Sequence, residues 1–314
     1  MFDNTFVNVF VSNVETGPWR LGNGTRQGGI LSPLIFNFYV NDVISEISRL
    51  KEGCSLGGVK TNIICYADDI SILAPSASGL QKILNILHDR LSQLGLLVNV
   101  DKCAYIVFRA VKKSIDPPTK VYLNGKLLER VTDFKYLGVI LSERLTLDKD
   151  ADRMVNTFLK QFHSMYSKFS FLDIDVRYFL FKSYTSSFYG AETWASSPSK
   201  KNIYKVAVAY HKAVKKIAGL NVWDSNHEAC AMVNAPIFRH MLAKRYVSCF
   251  FTMLKTSSPC ILPYRFYFRY FSKYYLEIKK LFFEVYGVVN ILDNPLCTLL
   301  ARIEFVQNHE PRSR

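Results

Sequence analysis

The feature that most constrains the fold is the stretch from residue 62 to 74, Asn62-Ile-Ile-Cys-Tyr-Ala-Asp-Asp-Ile-Ser-Ile-Leu-Ala74. Two short apolar, β-branched-rich runs flank a pair of adjacent carboxylates, Asp68 and Asp69. Ile63 to Tyr66 reads as a buried strand, and Ile70, Ile72 and Leu73 as its return. Two aspartates between such runs belong at the tip of a tight hairpin, where Asp tolerates turn geometry. Neighbouring carboxylates repel each other and are costly to hold together unless a cation sits between them. The chemistry that uses such a pair is Mg²⁺-assisted displacement at a phosphate, in which two metal ions stabilise the attacking and the leaving oxygen. The alternative is a surface hairpin closed by two solvated acids. The Tyr-x-Asp-Asp pattern alone leaves both readings open.

The length, 314 residues, allows two domains or three small ones, and 49% apolar residues suffice for substantial cores. No uncharged apolar run approaches the roughly 18 residues that span a bilayer, and the first residues lack a signal-peptide pattern. Seven scattered cysteines without a C-x-x-C pair argue against a disulfide framework and a zinc site, and imply a reduced, intracellular protein. Nothing in the short basic pairs separates nucleus from cytoplasm. The net charge of +14 is uneven: residues 1–150 carry 17 Lys/Arg against 15 Asp/Glu, residues 151–314 carry 23 against 11. A basic second half points to a polyanion partner, or else to a basic surface with no specific partner.

In chain order, residues 6–13 are β-prone and Gly17-Pro18 predicts a hairpin turn into Trp19-Arg20-Leu21. A glycine-dense loop, Gly22 to Gly29, feeds a helix that Ser32 would cap and Pro33 would open, running to about Leu50. Such a loop offers backbone N–H groups to an anion, although an ordinary loop-to-helix cap has the same pattern. Ser76 or Ser78 caps a periodic helix bearing Leu80, Ile83, Leu84, Leu87, Leu91 and Leu94, closed by Gly95. Strands at 104–108, around Asn124-Gly125 and at 134–141 complete an α+β domain, with helices packed on a largely antiparallel sheet. From about Asp148 the pattern is helical. Met154, Phe158, Phe162 and Met165 share one face, as do Tyr178, Phe181, Tyr184, Thr185 and Phe188. Val206, Val208, Tyr210, Val214 and Ile217 mark a third helix carrying Lys205, Lys212, Lys215 and Lys216. Residues 265–280 interleave Tyr and Phe with Arg and Lys, which suits either a strand of nucleic acid or an aromatic-packed helix with solvated cations.

Four stretches in order resemble one family, the reverse transcriptases of non-LTR (LINE-type) retrotransposons. Arg26-Gln-Gly-Gly-Ile-Leu-Ser-Pro-Leu-Ile-Phe-Asn37 is similar to motif B and Cys65-Tyr-Ala-Asp-Asp69 to motif C. Gly95 to Phe108, with Asn99 and Lys102, resembles motif D, and Phe134-Lys-Tyr-Leu-Gly-Val-Ile-Leu141 resembles the primer grip. Downstream, Phe188-Tyr-Gly-Ala-Glu-Thr-Trp194 resembles a Tyr-Gly-x-Glu-x-Trp stretch of the same elements. The resemblance implies a partial polymerase palm over residues 1–145, a helical thumb-like region over 146–220 and a helical basic and aromatic region over 221–314. It implies that Asp68 and Asp69 bind catalytic Mg²⁺, and that Lys102 donates a proton to the leaving pyrophosphate. Arg26, Gln27, Gly28 and Tyr66 would lie against nucleotide, template and primer end, while Tyr136, Leu137 and Gly138 hold the primer 3′ end. Lys205, Lys212, Lys215 and Lys216 would meet the nucleic-acid backbone. The implied partners are an RNA template, a DNA primer and deoxynucleoside triphosphates, with other retroelement proteins as further candidates and no membrane.

The resemblance also implies a metal-binding aspartate in motif A and a fingers subdomain, both upstream of motif B. This sequence begins about two dozen residues before that motif, so the expectation is a two-metal site short of one ligand and a chain inactive alone. Beside an active RNA-directed DNA polymerase stand two alternatives: a truncated remnant that only binds RNA or DNA, and a decayed element without selected function. Apolar palm surface left uncovered predicts association with another chain. An unrelated phosphatase or nuclease would need clustered Asp, Glu or His ligands, and the six histidines are dispersed.

Overall fold

The computed structural model describes residues 6–12, 14–20, 28–56, 58–109, 120–196 and 200–255. The chain divides into two compact units, one of residues 1–104 and 116–129, the other of residues 105–115 and 130–314.

The first unit opens with four short strands, β1 (Phe6–Val7), β2 (Phe10–Val11), β3 (Val14–Glu15) and β4 (Trp19–Arg20). They nest as antiparallel ribbons, β2 on β3 inside β1 on β4, with Phe6 opposite Arg20 and Phe10 opposite Glu15. The reversal therefore falls between Val11 and Val14 and not at Gly17-Pro18. Helix α1 (Ser32–Arg49) follows. Leu31 occupies its N-cap without a side-chain cap and Ser32 is already helical, so the expected serine cap does not form. Pro33 sits in the first turn, where its missing N–H is not needed. Val40, Val43 and Ile47 are its buried face; Leu34 and Phe38, half a turn away from Phe36 and Val40, are exposed.

Two antiparallel ribbons come next, β5 (Ser55–Leu56) on β6 (Val59–Lys60), then β7 (Ile63–Tyr66) on β8 (Asp69–Ile72). Helix α2 (Ala77–Gln93) is capped by Ser76, whose hydroxyl accepts from the Gly79 N–H at 3.1 Å. Its Ile83, Leu87 and Leu91 close a core with Val40, Val43 and Ile47 of α1 and Ile63 of β7. The ends of the unit carry a 3₁₀ turn at Val100–Lys102, β9 (Ala104–Ile106), and the ribbon of β10 (Tyr122–Leu123) on β11 (Lys126–Leu127), turned at Asn124-Gly125 as predicted. With β12 (Glu129–Val131) paired to β9, the described strands pair two by two throughout, so the described residues are α+β with small two-stranded ribbons and not one continuous sheet.

The second unit contains the ribbon of β13 (Asp133–Tyr136) on β14 (Val139–Ser142), then α3 (Asp148–Phe169) and α4 (Ile174–Tyr184). After a 3₁₀ turn at Ala191–Ser196 come α5 (Lys200–Ala218), α6 (Asn226–Met232) and α7 (Phe238–Lys255). Met154, Phe158, Phe162 and Met165 of α3 are all buried, as their spacing predicts. With Phe181, Phe188, Tyr210 and Phe238 they build an aromatic core whose ring centroids lie 5.1 to 6.3 Å apart. Tyr184 stays exposed while its neighbour Thr185 is buried, its hydroxyl returned to the Phe181 carbonyl at 2.7 Å. The basic and aromatic stretch at 265–280 lies outside the described residues.

Candidate functional site

The carboxylate pair sits on β7 and β8. The register places Ile63 opposite Ile72, Cys65 opposite Ile70 and Tyr66 opposite Asp69. Ile63, Cys65, Ile70 and Ile72 face the α1–α2 core, and burial pushes the Cys65 thiol up from its ordinary range. Cross-strand partners share a face, so Tyr66 and Asp69 share the opposite, exposed one. The turn itself is Ala67-Asp68, with Asp69 already the first residue of β8. Ala67 adopts φ 51°, a left-handed conformation that costs a residue with a Cβ about 1–2 kcal/mol. Both carboxylates are exposed, and neither makes an ion pair or hydrogen bond among the described residues.

What fixes this hairpin is a residue the sequence gave no cause to single out. Asn62, 1% exposed, precedes β7. Its amide donates to the Ile47 and Leu50 carbonyls, both at 2.9 Å, at the C-terminus of α1, where Ile47 also accepts from the Leu50 N–H and Leu50 from the Lys60 Nζ, both at 3.1 Å. Its own carbonyl accepts from the Leu73 N–H at 2.8 Å, closing the foot of the hairpin.

Oxygen donors of this kind suit a hard divalent cation such as Mg²⁺. Among the described residues no third His, Cys, Asp or Glu joins them. Lys102 ends the 3₁₀ turn that Asn99 opens, the Asn99 Oδ1 accepting from the Asp101 N–H at 3.2 Å; its side chain is exposed and without an ion pair among the described residues. Gly28 has φ +81° with open space where a Cβ would stand. Arg26 and Gln27 lie outside the described residues.

In the second unit, Tyr136 ends β13, and Leu137 and Gly138 form the turn into β14. Leu137 and Gly138 both take positive φ, 44° and 82°, as a two-residue hairpin turn of primed type requires. The Tyr136 hydroxyl is buried and has no hydrogen-bond partner among the described residues. At the foot of the hairpin the Lys149 ammonium bonds Asp133 and holds its carboxyl below the usual range. This turn is clamped from the Phe188–Trp194 stretch. A Cβ on Gly138 would stand 3.1 Å from the Tyr189 ring, and one on Gly190 only 2.8 Å from the Val139 side chain. The clamp centres on Asp150, fully buried in the first turn of α3. Its Oδ1 accepts from the Ile140 N–H at 3.1 Å and from the Arg153 Nε at 2.7 Å, and its Oδ2 from the Trp194 Nε1 at 3.1 Å. Glu192 in turn pairs with Arg245 of α7 at 2.9 Å. Asp150 was findable, because it precedes Met154 by four residues and so falls on the apolar stripe of α3.

The four lysines of α5 separate. Lys205 pairs with Asp152 at 2.5 Å, Lys212 is exposed without an ion pair among the described residues, and Lys216 is exposed with its ammonium 4.7 Å from the Tyr166 ring centroid. Lys215 corrects the expectation of a surface cation: it is 8% exposed and its Nζ donates to the Val222 carbonyl at 2.8 Å. Its position on α5, between Val214 and the exposed Lys216, turns it toward the loop that follows.

Comparison with known proteins bears on the same segments. A family described as "Reverse transcriptase (RNA-dependent DNA polymerase)" matches residues 3–141. The "RNA-directed DNA polymerase from mobile element jockey" of Drosophila funebris is 25% identical over 209 residues, covering 62% of this chain and 22% of that protein. The protein of the same name from Drosophila melanogaster is 24% identical over 234 residues, covering 69% of this chain and 24% of its own length. A Retrovirus-related Pol polyprotein from a type-1 retrotransposable element of Nasonia vitripennis is 33% identical over 132 residues, 40% of this chain and 13% of that protein. The chain thus spans less than a quarter of the curated relatives it matches. No described helix is long and apolar enough to cross a membrane.

Proposed function

We propose that this chain, whose residues 3–141 match the reverse transcriptase family and whose similar relatives are RNA-directed DNA polymerases of mobile elements, serves RNA-directed DNA synthesis, joining deoxynucleotides to a primer 3′-OH on an RNA template. The observation that carries this reading is the pair Asp68 and Asp69, exposed and without a partner among the described residues, at the end of a hairpin held at its foot by Asn62. Their donor chemistry fits Mg²⁺, which when bound stabilises charge on the attacking and leaving oxygens. The two carboxylates hold the position; Tyr66, on the same face as Asp69, lies beside the primer end. Lys102 supplies the proton that leaves with pyrophosphate. Arg26, Gln27 and Gly28 pack against the incoming nucleotide and template. Tyr136, Leu137 and Gly138 hold the primer terminus, and Lys212 and Lys216, with Lys205 once freed from Asp152, neutralise backbone phosphates. On this reading residues 1–145 are palm, 146–220 thumb and 221–314 a basic C-terminal region, in an intracellular protein.

A second reading is binding without catalysis, favoured by a two-carboxylate set with no third acid among the described residues. Primer extension on a primed RNA template with Mg²⁺ separates the two. Extension by the chain that disappears in Asp68→Ala and Asp69→Ala supports polymerisation; salt-sensitive primer–template binding without extension supports the second reading, and absence of both refutes them together.

A further inference from the structure

The turn that joins α5 to α6 presents a tryptophan to solvent. Trp223 is 94% exposed, whereas Trp194 is buried to 1%. Leaving an indole in water forgoes a large burial gain, so a fully exposed tryptophan on an ordered turn asks for a ligand. This turn is ordered from several sides. The Leu220 N–H bonds the Lys215 carbonyl at 2.9 Å and the buried Lys215 Nζ bonds the Val222 carbonyl at 2.8 Å. The Asp224 carboxylate accepts from the Asn221 N–H at 2.5 Å and its own N–H returns to the Asn221 carbonyl at 3.2 Å. Trp223 is thus held out by the backbone on both sides of it.

The surroundings say what kind of ligand. Lys212 and Lys216 lie one helical turn apart on α5 immediately before the turn, both exposed, with Lys216 placed over Tyr166. Of the acids nearby, Asp224 is turned onto backbone N–H and Glu228 lies in the first turn of α6. Within the turn, Val222, 56% exposed, is the apolar residue next to the indole in the chain. A protein-docking face needs a broader apolar patch. An exposed aromatic plane on the turn that follows two exposed lysines of α5 suits a base stacked on the ring with flanking phosphates on the lysines.

We propose that Trp223 is a stacking platform for an unpaired base of single-stranded nucleic acid, with Lys212 and Lys216 taking the adjacent phosphates and Lys215 positioning the turn. The proposal rests on the nucleic-acid reading above and adds to it a single-strand site in the second unit.

The test is fluorescence anisotropy of the full chain with a short labelled oligo(U) and, separately, with a blunt DNA duplex, at several salt concentrations. The Trp223→Ala variant is expected to weaken single-strand binding roughly 5- to 150-fold without changing the salt dependence, and Trp223→Phe to keep most of the affinity. Lys212→Gln with Lys216→Gln should lower the salt slope by about 0.7 per lysine. Tryptophan emission should be quenched on binding in the wild type and not in Trp223→Phe, with Trp19 and Trp194 as the unchanged background. Equal affinity of Trp223→Ala, absence of wild-type single-strand binding, or a Trp223 effect confined to self-association of the chain would each overturn the proposal. If the wild type still binds and extends primer–template in those cases, only this site falls; if it binds no nucleic acid at all, the proposed function falls with it.

Discussion

Replacing Asp150 by Ala should cost the second unit about 4 kcal/mol. The carboxylate is fully buried and serves three donors at once: the charged Arg153, the Trp194 indole and the Ile140 backbone N–H. Removing one partner of a buried ion pair costs about 3–5 kcal/mol, and each neutral donor left dry costs about 1–3 kcal/mol more. These do not add fully, because Arg153 is partly exposed and already bonds the Tyr189 carbonyl at 3.3 Å, an alternative acceptor. About 4 kcal/mol corresponds to a midpoint some 8–16 °C lower for a unit of this size. Trp194 is the reporter: it is buried beside the substitution, while Trp19 and Trp223 are exposed, so its blue-shifted emission follows unfolding of this unit in a thermal or urea melt. Asp150→Asn keeps the volume but turns an amide donor toward donors, and should cost about 2–3 kcal/mol. The cycle with Arg153→Ala should show a coupling of about 2 kcal/mol. A loss under 1 kcal/mol in Asp150→Ala, or additive effects in the cycle, would refute the assignment of Asp150 as the centre of the clamp.

Three further outcomes are expected. Asn62→Ala should destabilise the first unit by about 1–2 kcal/mol, because it removes two buried hydrogen bonds at the end of α1, although the Ile47 carbonyl keeps the Leu50 N–H and the Leu50 carbonyl keeps the Lys60 Nζ; Gly53→Ala should act on the same contact, since its Cβ would overlap the Asn62 side-chain amide, and urea melts of both variants check it. Lys215→Gln should lower the melting temperature while leaving the salt slope of primer–template binding unchanged, and Lys212→Gln should do the reverse; identical behaviour of the two would show that burial does not separate them. The chain should lose stability as pH falls below about 6.5. Burial first, then Lys215 and His227, holds the His211 imidazole below that ordinary value, and its neutral Nε2 accepts from the Phe238 N–H at 3.4 Å. The unfolded chain therefore takes up the proton first, and folded stability drops through the interval between the two values. Melting curves from pH 8 to 5 should show a shallower decline for His211→Gln; an unchanged decline would assign the effect elsewhere.

Much of the site is local and could be read without coordinates. The hairpin at 63–72 follows from period-two alternation on either side of two turn-tolerant residues, and one register alone puts Ile63, Cys65, Ile70 and Ile72 on the same face. Helices α2 and α3 follow equally from spacing, since a stripe at three and four residues has only one side to bury. What spacing does not carry is the partner of a buried polar atom. Asn62 closes a helix that ended a dozen residues earlier, and Asp150 gathers groups ten and forty-four residues away. Those bonds exist because folding removes competing water, which turns any unmet donor into a cost that the nearest acceptor must relieve. The same holds for the lysines of α5. Their charge is written in the sequence, but only the loop that folds back from Gly219 decides that Lys215 spends its ammonium on Val222 while Lys212 stays exposed. Composition and period thus determined the elements and the pair of carboxylates. Tertiary packing decided which polar groups are structural and which remain free to act, because that division depends on where water can still reach.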